Sequence, residues 1–139
     1  MAGTRRSDRE APQRLILDSG AVIGLARGDQ RARTYLARAL EMNATIEIPV
    51  VVVAETIRGG PRDALVHRIL KAVGSVPEAR EVHGRTAGRL LGAAKSASTI
   101  DALVVAHAVE AGGGLILTGD REDLKRLAAT HSEVWIVAL

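Results

Sequence analysis

The residues of this chain that most need a chemical explanation are carboxylates in apolar surroundings. Asp18 closes the short apolar run RLIL, and Asp120 stands two residues past LILT. Asp101 lies in the first turn of a strongly patterned helical segment, one position from its apolar stripe. Glu55 is embedded in VVVVAETI, an expensive setting for a lone carboxylate. Each acid has a plain structural reading: Asp18 and Asp120 as helix caps, Asp101 as the partner of a helix dipole, Glu55 as a solvent-facing residue. Taken together, the four suggest one cluster. Like charges brought together repel and raise one another's pKa. A hard divalent cation held by oxygen ligands removes that penalty, and Mg2+ or Mn2+ suits a site of carboxylates and water.

The charge balance sharpens this reading. The chain has 19 Lys and Arg against 16 Asp and Glu, a net charge of +3. Of the basic residues, 16 are Arg and only 3 are Lys. With the four acids set aside, 12 carboxylates remain and the surround carries +7. An acidic pit in an Arg-rich surround suits a metal-dependent enzyme acting on a polyanion, because guanidinium groups grip phosphate bidentately. Tyr35 and Trp135 are the only aromatic residues apart from histidine, which leaves no base-stacking platform of the kind single-strand binders use. The absence of cysteine excludes disulfides, thiolate metal sites and a cysteine nucleophile. GLILTGD has the glycine spacing of a P-loop but Asp120 where lysine is required. Gly112–Gly114 precede an apolar run instead of following one, against a dinucleotide fingerprint. A haloacid dehalogenase-type phosphatase would need a second Asp at the position of Gly20. His67, His83, His107 and His131 lack metal-ligand spacing, and His107 on an apolar stripe reads as a core histidine.

The elements that must position the acids follow from pattern. A chain of 139 residues is the size of one domain. Residues 1–13 are polar and aperiodic, and are expected to form a flexible tail before a domain over 14–139. Residues 14–18 read as a strand and 19–28 as a short helix closed by Gly28. Asp29 reads as the N-cap of a helix to about Met42, with Tyr35, Leu36, Ala39 and Leu40 as its apolar positions. Residues 44–48 alternate like a strand. Pro49 and the four following valines fit strand and helix equally. Helices are expected at 61–72, with Leu65, Ile69, Leu70 and Val73 on one side, and at 81–95. A third is expected at 100–111, capped by Ser98 or Thr99, with the stripe Ile100, Leu103, Val104, His107, Ala108 and Ala111. Residues 115–118 read as a buried strand, 120–129 as a helix and 134–138 as the last strand. Strands separated by helices imply an α/β fold, a parallel sheet between helical layers. Sites in such sheets lie beyond the carboxyl ends of the strands, where Asp18 and Asp120 fall. No apolar run approaches the ~20 residues of a membrane span, and no secretory h-region is visible, so a cytoplasmic location is expected.

In that order, LILDSGAVIGL, VVVAETIRG, STIDALVVAHA and LTGDREDLKRL resemble the PIN-domain family, specifically VapC-type toxins of VapBC toxin–antitoxin systems. The resemblance runs over nearly all of residues 14–139. It implies a three-layer α/β/α domain and a helix over 50–58 that turns Glu55 toward the pit. It also implies an Mg2+- or Mn2+-dependent endoribonuclease with Asp18, Glu55, Asp101 and Asp120 as catalytic residues, the three aspartates being the metal ligands. Thr118, Ser19 and Asp123 match supporting positions. An RNA substrate, a small cognate antitoxin and a homodimer are implied as partners. Gly20 departs from the family, where Ser, Thr or Asn is common. The rival reading is a non-catalytic PIN-like module that binds RNA or protein through its Arg surface.

Overall fold

The computed structural model describes residues 13–73 and 75–139. The expected tail therefore lies outside the described residues except for Gln13, whose carbonyl accepts from Thr45 N–H. Among the described residues four strands, β1 (Arg14–Leu17), β2 (Thr45–Glu47), β3 (Gly114–Thr118) and β4 (Val134–Ala138), form one parallel sheet in the order β2-β1-β3-β4. Leu15, Ile16 and Leu17 stand opposite Leu115, Ile116 and Leu117. Both central strands are short and apolar because they are covered on both faces.

Among the described residues seven helices supply the covering layers: α1 (Ser19–Ala26), α2 (Gln30–Glu41), α3 (Val50–Thr56), α4 (Asp63–Val73), α5 (Glu81–Ala94), α6 (Thr99–Glu110) and α7 (Glu122–Leu127). Among the described residues no helix is long and apolar enough to cross a membrane. The helix starts follow the sequence signals closely. Asp18 caps α1, and Asp29 caps α2 by accepting from Ala32 N–H at 2.8 Å. Gly28 takes φ +81 between these helices, which a residue with a Cβ adopts only under strain. The ambiguous valine segment is helical: Pro49 opens α3, and Thr56 closes it with a hydroxyl bond to the Val52 carbonyl. The turn after α3 is held by Asp63, which accepts from Arg58 and Gly59 N–H at 3.1 and 2.6 Å.

Five expectations need correction. Leu40 is 62% exposed, and Leu65 lies on the outer side of α4 while Val66 turns inward. Ala32 and Ala39 bury the face of α2 against the sheet; their small side chains let the helix sit close. Around α6 the burial is not a stripe, since Ala102 and every residue from Val104 to Ala108 are buried. This helix runs between its neighbours α3, α5 and α7 and the sheet, so nearly every face is covered. Ser98 occupies the N-cap position of α6 but makes no side-chain cap bond. Its hydroxyl is used elsewhere, as described below. Finally, β2 does not alternate: Ile46 and Glu47 are both buried, because Glu47 has polar partners inside the fold.

Candidate active site

The first acid is positioned by the sheet itself. Asp18 follows β1 directly, and its N–H donates to the Leu117 carbonyl at 3.0 Å, continuing the ladder by one residue. That register sets Asp18 against Thr118 at the end of β3. Thr118 Oγ1 donates to Asp18 Oδ2 at 2.9 Å, while Ser19 N–H donates to Asp18 Oδ1 at 2.7 Å. Both oxygens of this buried carboxylate are thus fixed in direction. The same hydroxyl oxygen accepts from Asp120 N–H at 3.1 Å. Thr118, 1% exposed, therefore ties together the strand ends that carry Asp18 and Asp120. Asp120 Oδ1 in turn accepts from Glu122 N–H at 3.2 Å. The helix-capping reading holds for Asp18, whereas Arg121 takes the N-cap position of α7 and no side chain caps that helix; neither arrangement answers the charges of Asp18 and Asp120.

Gly20 explains its own departure from the family pattern. A Cβ at this position would stand 2.5 Å from Gly119 N and 2.8 Å from its Cα. Backbone cannot yield as a side-chain tip does. The first turn of α1 and the β3–α7 turn, which bring Asp18 and Asp120 to one place, approach this closely because position 20 is glycine; a Cβ at Gly119 would lie 3.4 Å from Gly20 Cα, an ordinary contact.

Asp101 comes from the first turn of α6 and Glu55 from the last turn of α3, both half-buried. The Asp101 carboxyl is pushed up to about 6, first by burial and then by the negative charges of Asp18, Asp123, Glu55 and Asp120. All four predicted acids, and Asp123 with them, therefore lie near enough for each charge to act on Asp101. Among the described residues none of Asp18, Glu55, Asp101 and Asp120 has an ion-pair partner; Asp123 alone faces a cation, Arg126, at 3.7 Å. Ser19 contributes its backbone N–H. Sequence reasoning missed two residues here: Ser98, whose Oγ donates to Asp123 Oδ2 at 3.0 Å, and Arg126, which also bonds the Ala94 carbonyl. The signal for Ser98 was present but pointed to a helix cap instead.

Among the described residues no three such side chains stand close enough to form a ready-made metal cage. The donor chemistry nonetheless fits a hard divalent cation: oxygen ligands only, repelling one another and lacking a basic side chain to neutralise them, with Asp18 buried, Glu55 and Asp101 half-buried and Asp120, against expectation, exposed.

The PIN domain family profile matches residues 15–130. The chain matches no curated protein. Its fold is similar to that of VapBC2 from Rickettsia felis bound to a DNA fragment from their promoter, at 15% identity and TM-score 0.70, covering 91% of this chain and 98% of that one. It is similar to a toxin–antitoxin complex from Klebsiella pneumoniae at 19% identity and TM-score 0.65, covering 86% and 94%. DNA-bound VapBC from Salmonella typhimurium gives 12% identity and TM-score 0.66, covering 90% and 97%. At such identities the likeness is one of fold. The family profile, which spans most of the chain, carries more: the chain belongs to the PIN domain family.

Proposed function

We propose that this protein is a metal-dependent endoribonuclease of the VapC toxin type, restrained by a cognate antitoxin. The observation that carries the proposal is the uncompensated charge of Asp18, Glu55, Asp101 and Asp120 at one sheet edge of a net-positive protein. Asp18, Asp101 and Asp120 would hold Mg2+ or Mn2+, which when bound supplies charge neutralisation and Lewis acidity toward the phosphodiester. Thr118 and Ser19 orient Asp18 for that task, and Thr118 holds the Asp120 backbone in step with it. Asp123, fixed by Ser98 and Arg126, adds negative charge at the rim. Glu55 has no hydrogen-bond partner among the described residues, and its free carboxylate takes the proton from the attacking water. The arginines of this net-positive chain would hold RNA through its phosphates.

The antitoxin has a fitting surface. Ile23 and Ala26 of α1 and Leu65 and Val66 of α4 line a groove of about 720 Å³ rimmed by Arg27, Arg58 and Arg62. Ile23 and Leu65 are exposed, at 37% and 44%. An amphipathic helix with an acidic flank suits this groove. The structural relatives include toxin–antitoxin complexes, which supports a partner of this kind, and the family resemblance supports a homodimer. The nuclease reading is tested by RNA cleavage with wild type and Asp18→Asn purified identically. Cleavage by wild type alone supports it. Equal cleavage by both, or by neither, overturns it and favours a binding module.

A further inference from the structure

Away from the acidic edge the fold holds a second group of buried titratable side chains that the proposed chemistry does not use. Glu47 ends β2, and its Oε1 accepts from Arg14 Nη1 of β1 at 2.5 Å and from His107 Nε2 of α6 at 3.2 Å. Glu47 and His107 are 8% and 9% exposed. A carboxylate this deeply buried on an edge strand is costly, and Arg14 alone would suffice to tie β2 to β1. The bond from His107 does something else, because it joins β2 to α6.

The consequence lies in where the two residues sit along the chain. Glu47 stands three residues before α3, which carries Glu55. His107 stands six residues after Asp101 on α6, about 9 Å along the helix axis. The Glu47–His107 bond therefore braces the two elements that bring Glu55 and Asp101 together. Among the described residues it is the one hydrogen bond between residues 45–58 and α6. Otherwise the joint is apolar: Pro49, Val50 and Val51 face Leu103 and the rings of His83 and His107. Such contacts carry little directional information, and α3 has no side-chain N-cap to fix its start.

The neighbouring groups leave the brace intact. His83 of α5 lies with its ring centroid 5.6 Å from that of His107, and its Nδ1 accepts from Arg80 N–H at 2.8 Å. Burial, the nearby His107 and Arg80 together hold His83 below its ordinary value, so it packs as a neutral ring. Burial alone would raise Glu47, but the bonds and charges of Arg14 and His107 outweigh it and keep the carboxyl ionised. As Glu47 can only accept, His107 must carry its proton on Nε2.

We propose that Glu47 and His107 are positioning residues of the acidic site, their hydrogen bond setting where Glu55 stands relative to Asp101. This rests on the nuclease reading above. The test compares His107→Gln, whose amide nitrogen reaches Glu47 much as Nε2 does, with His107→Asn, which falls short, and His107→Leu, which has no donor. Each full-length variant is checked for folding by circular dichroism, then assayed for Mn2+ affinity by calorimetry and for kcat and KM on RNA. The expected result is a loss of about tenfold in kcat and weaker Mn2+ binding for Asn and Leu. KM for RNA should stay near wild type, and Gln should restore most of both losses. If Leu does not fold, the Asn–Gln pair decides. Active wild type with Asn and Gln indistinguishable overturns this inference alone. Wild type that neither cleaves RNA nor binds Mn2+ overturns the nuclease reading and this inference with it.

Discussion

Replacing Asp101 by Asn should stabilise the metal-free protein, and the amount follows from the surroundings of this carboxyl. An aspartate ordinarily titrates at 3.8; in the fold, burial and the four neighbouring acids raise Asp101 to about 6. Between those pH values the folded chain keeps a proton that the unfolded chain has released. Its contribution to stability is therefore whole below pH ~4, is lost as pH rises toward ~6, and stays lost above. A displacement of about two pH units corresponds to roughly 3 kcal/mol at most. Asp101 is only half-buried, and solvent screening cuts this to about 1.5 kcal/mol. Asn also forfeits the favourable position of a negative charge in the first turn of α6, worth about 0.5 kcal/mol. The net gain at pH 7 should be about 1 kcal/mol, or about 4 °C in Tm for a domain of this size. Urea denaturation in EDTA from pH 4 to 8 measures it: wild type should lose stability up to pH ~6, and the variant should lose much less. Saturating Mn2+ should reverse the order, because wild type gains more binding free energy. A variant less stable than wild type at pH 7 in EDTA, with the same pH profile, would mean that Asp101 is a structural helix-start residue and that the cluster does not exist.

Other perturbations probe the frame and the surfaces. Thr118→Val strips Asp18 of one donor and Asp120 N–H of its acceptor, and should cost about 1–3 kcal/mol in denaturant titration together with most RNA cleavage; retained activity would mean that Asp18 needs no orientation. Gly20→Ala forces a Cβ against the Gly119 backbone and should lower stability by about 1–3 kcal/mol, whereas Gly24→Ala, whose nearest neighbour is the Leu139 side chain at 3.4 Å, should be nearly neutral. Ile23→Asp with Leu65→Asp should abolish capture of a co-expressed cognate antitoxin and leave RNA cleavage intact; undiminished capture would move the antitoxin off this groove. Affinity for a non-cleavable RNA should fall steeply with salt, as counterion release by arginine demands, and a flat dependence would exclude phosphate-led binding.

Local rules made much of this fold legible. Short apolar runs ending in Asp or Thr mark β1 and β3, and the strand-end rule for parallel sheets then puts Asp18 and Asp120 on one edge. Pro49 followed by four valines was different, because Pro at a helix start and valine in a strand are opposing local preferences; tertiary packing against α6 decides between them. The stripe on α6 misled for a related reason: periodicity detects one buried face, and this helix is enclosed on nearly all of them. Leu40 and Leu65 look like core residues to any hydropathy rule, since apolarity does not say whether the covering group belongs to the same chain. Least legible were the polar partners distant in sequence. Ser98 has the type and place of a cap, yet its hydroxyl serves Asp123; Glu47 sits in an alternating run, yet its partners are Arg14 and His107. Such pairs leave no local trace.

On the proposed function, the acids at the sheet edge need a divalent cation to act on RNA. The most direct measurement of this need is cleavage of a labelled single-stranded RNA by wild type in EDTA, followed by titration with Mn2+, with Asp18→Asn carried through the same purification. No cleavage is expected in EDTA; restoration should saturate with Mn2+, and the variant should show none at any metal concentration. Undiminished cleavage in EDTA by wild type, or restoration of the variant to wild-type rates, would contradict that need.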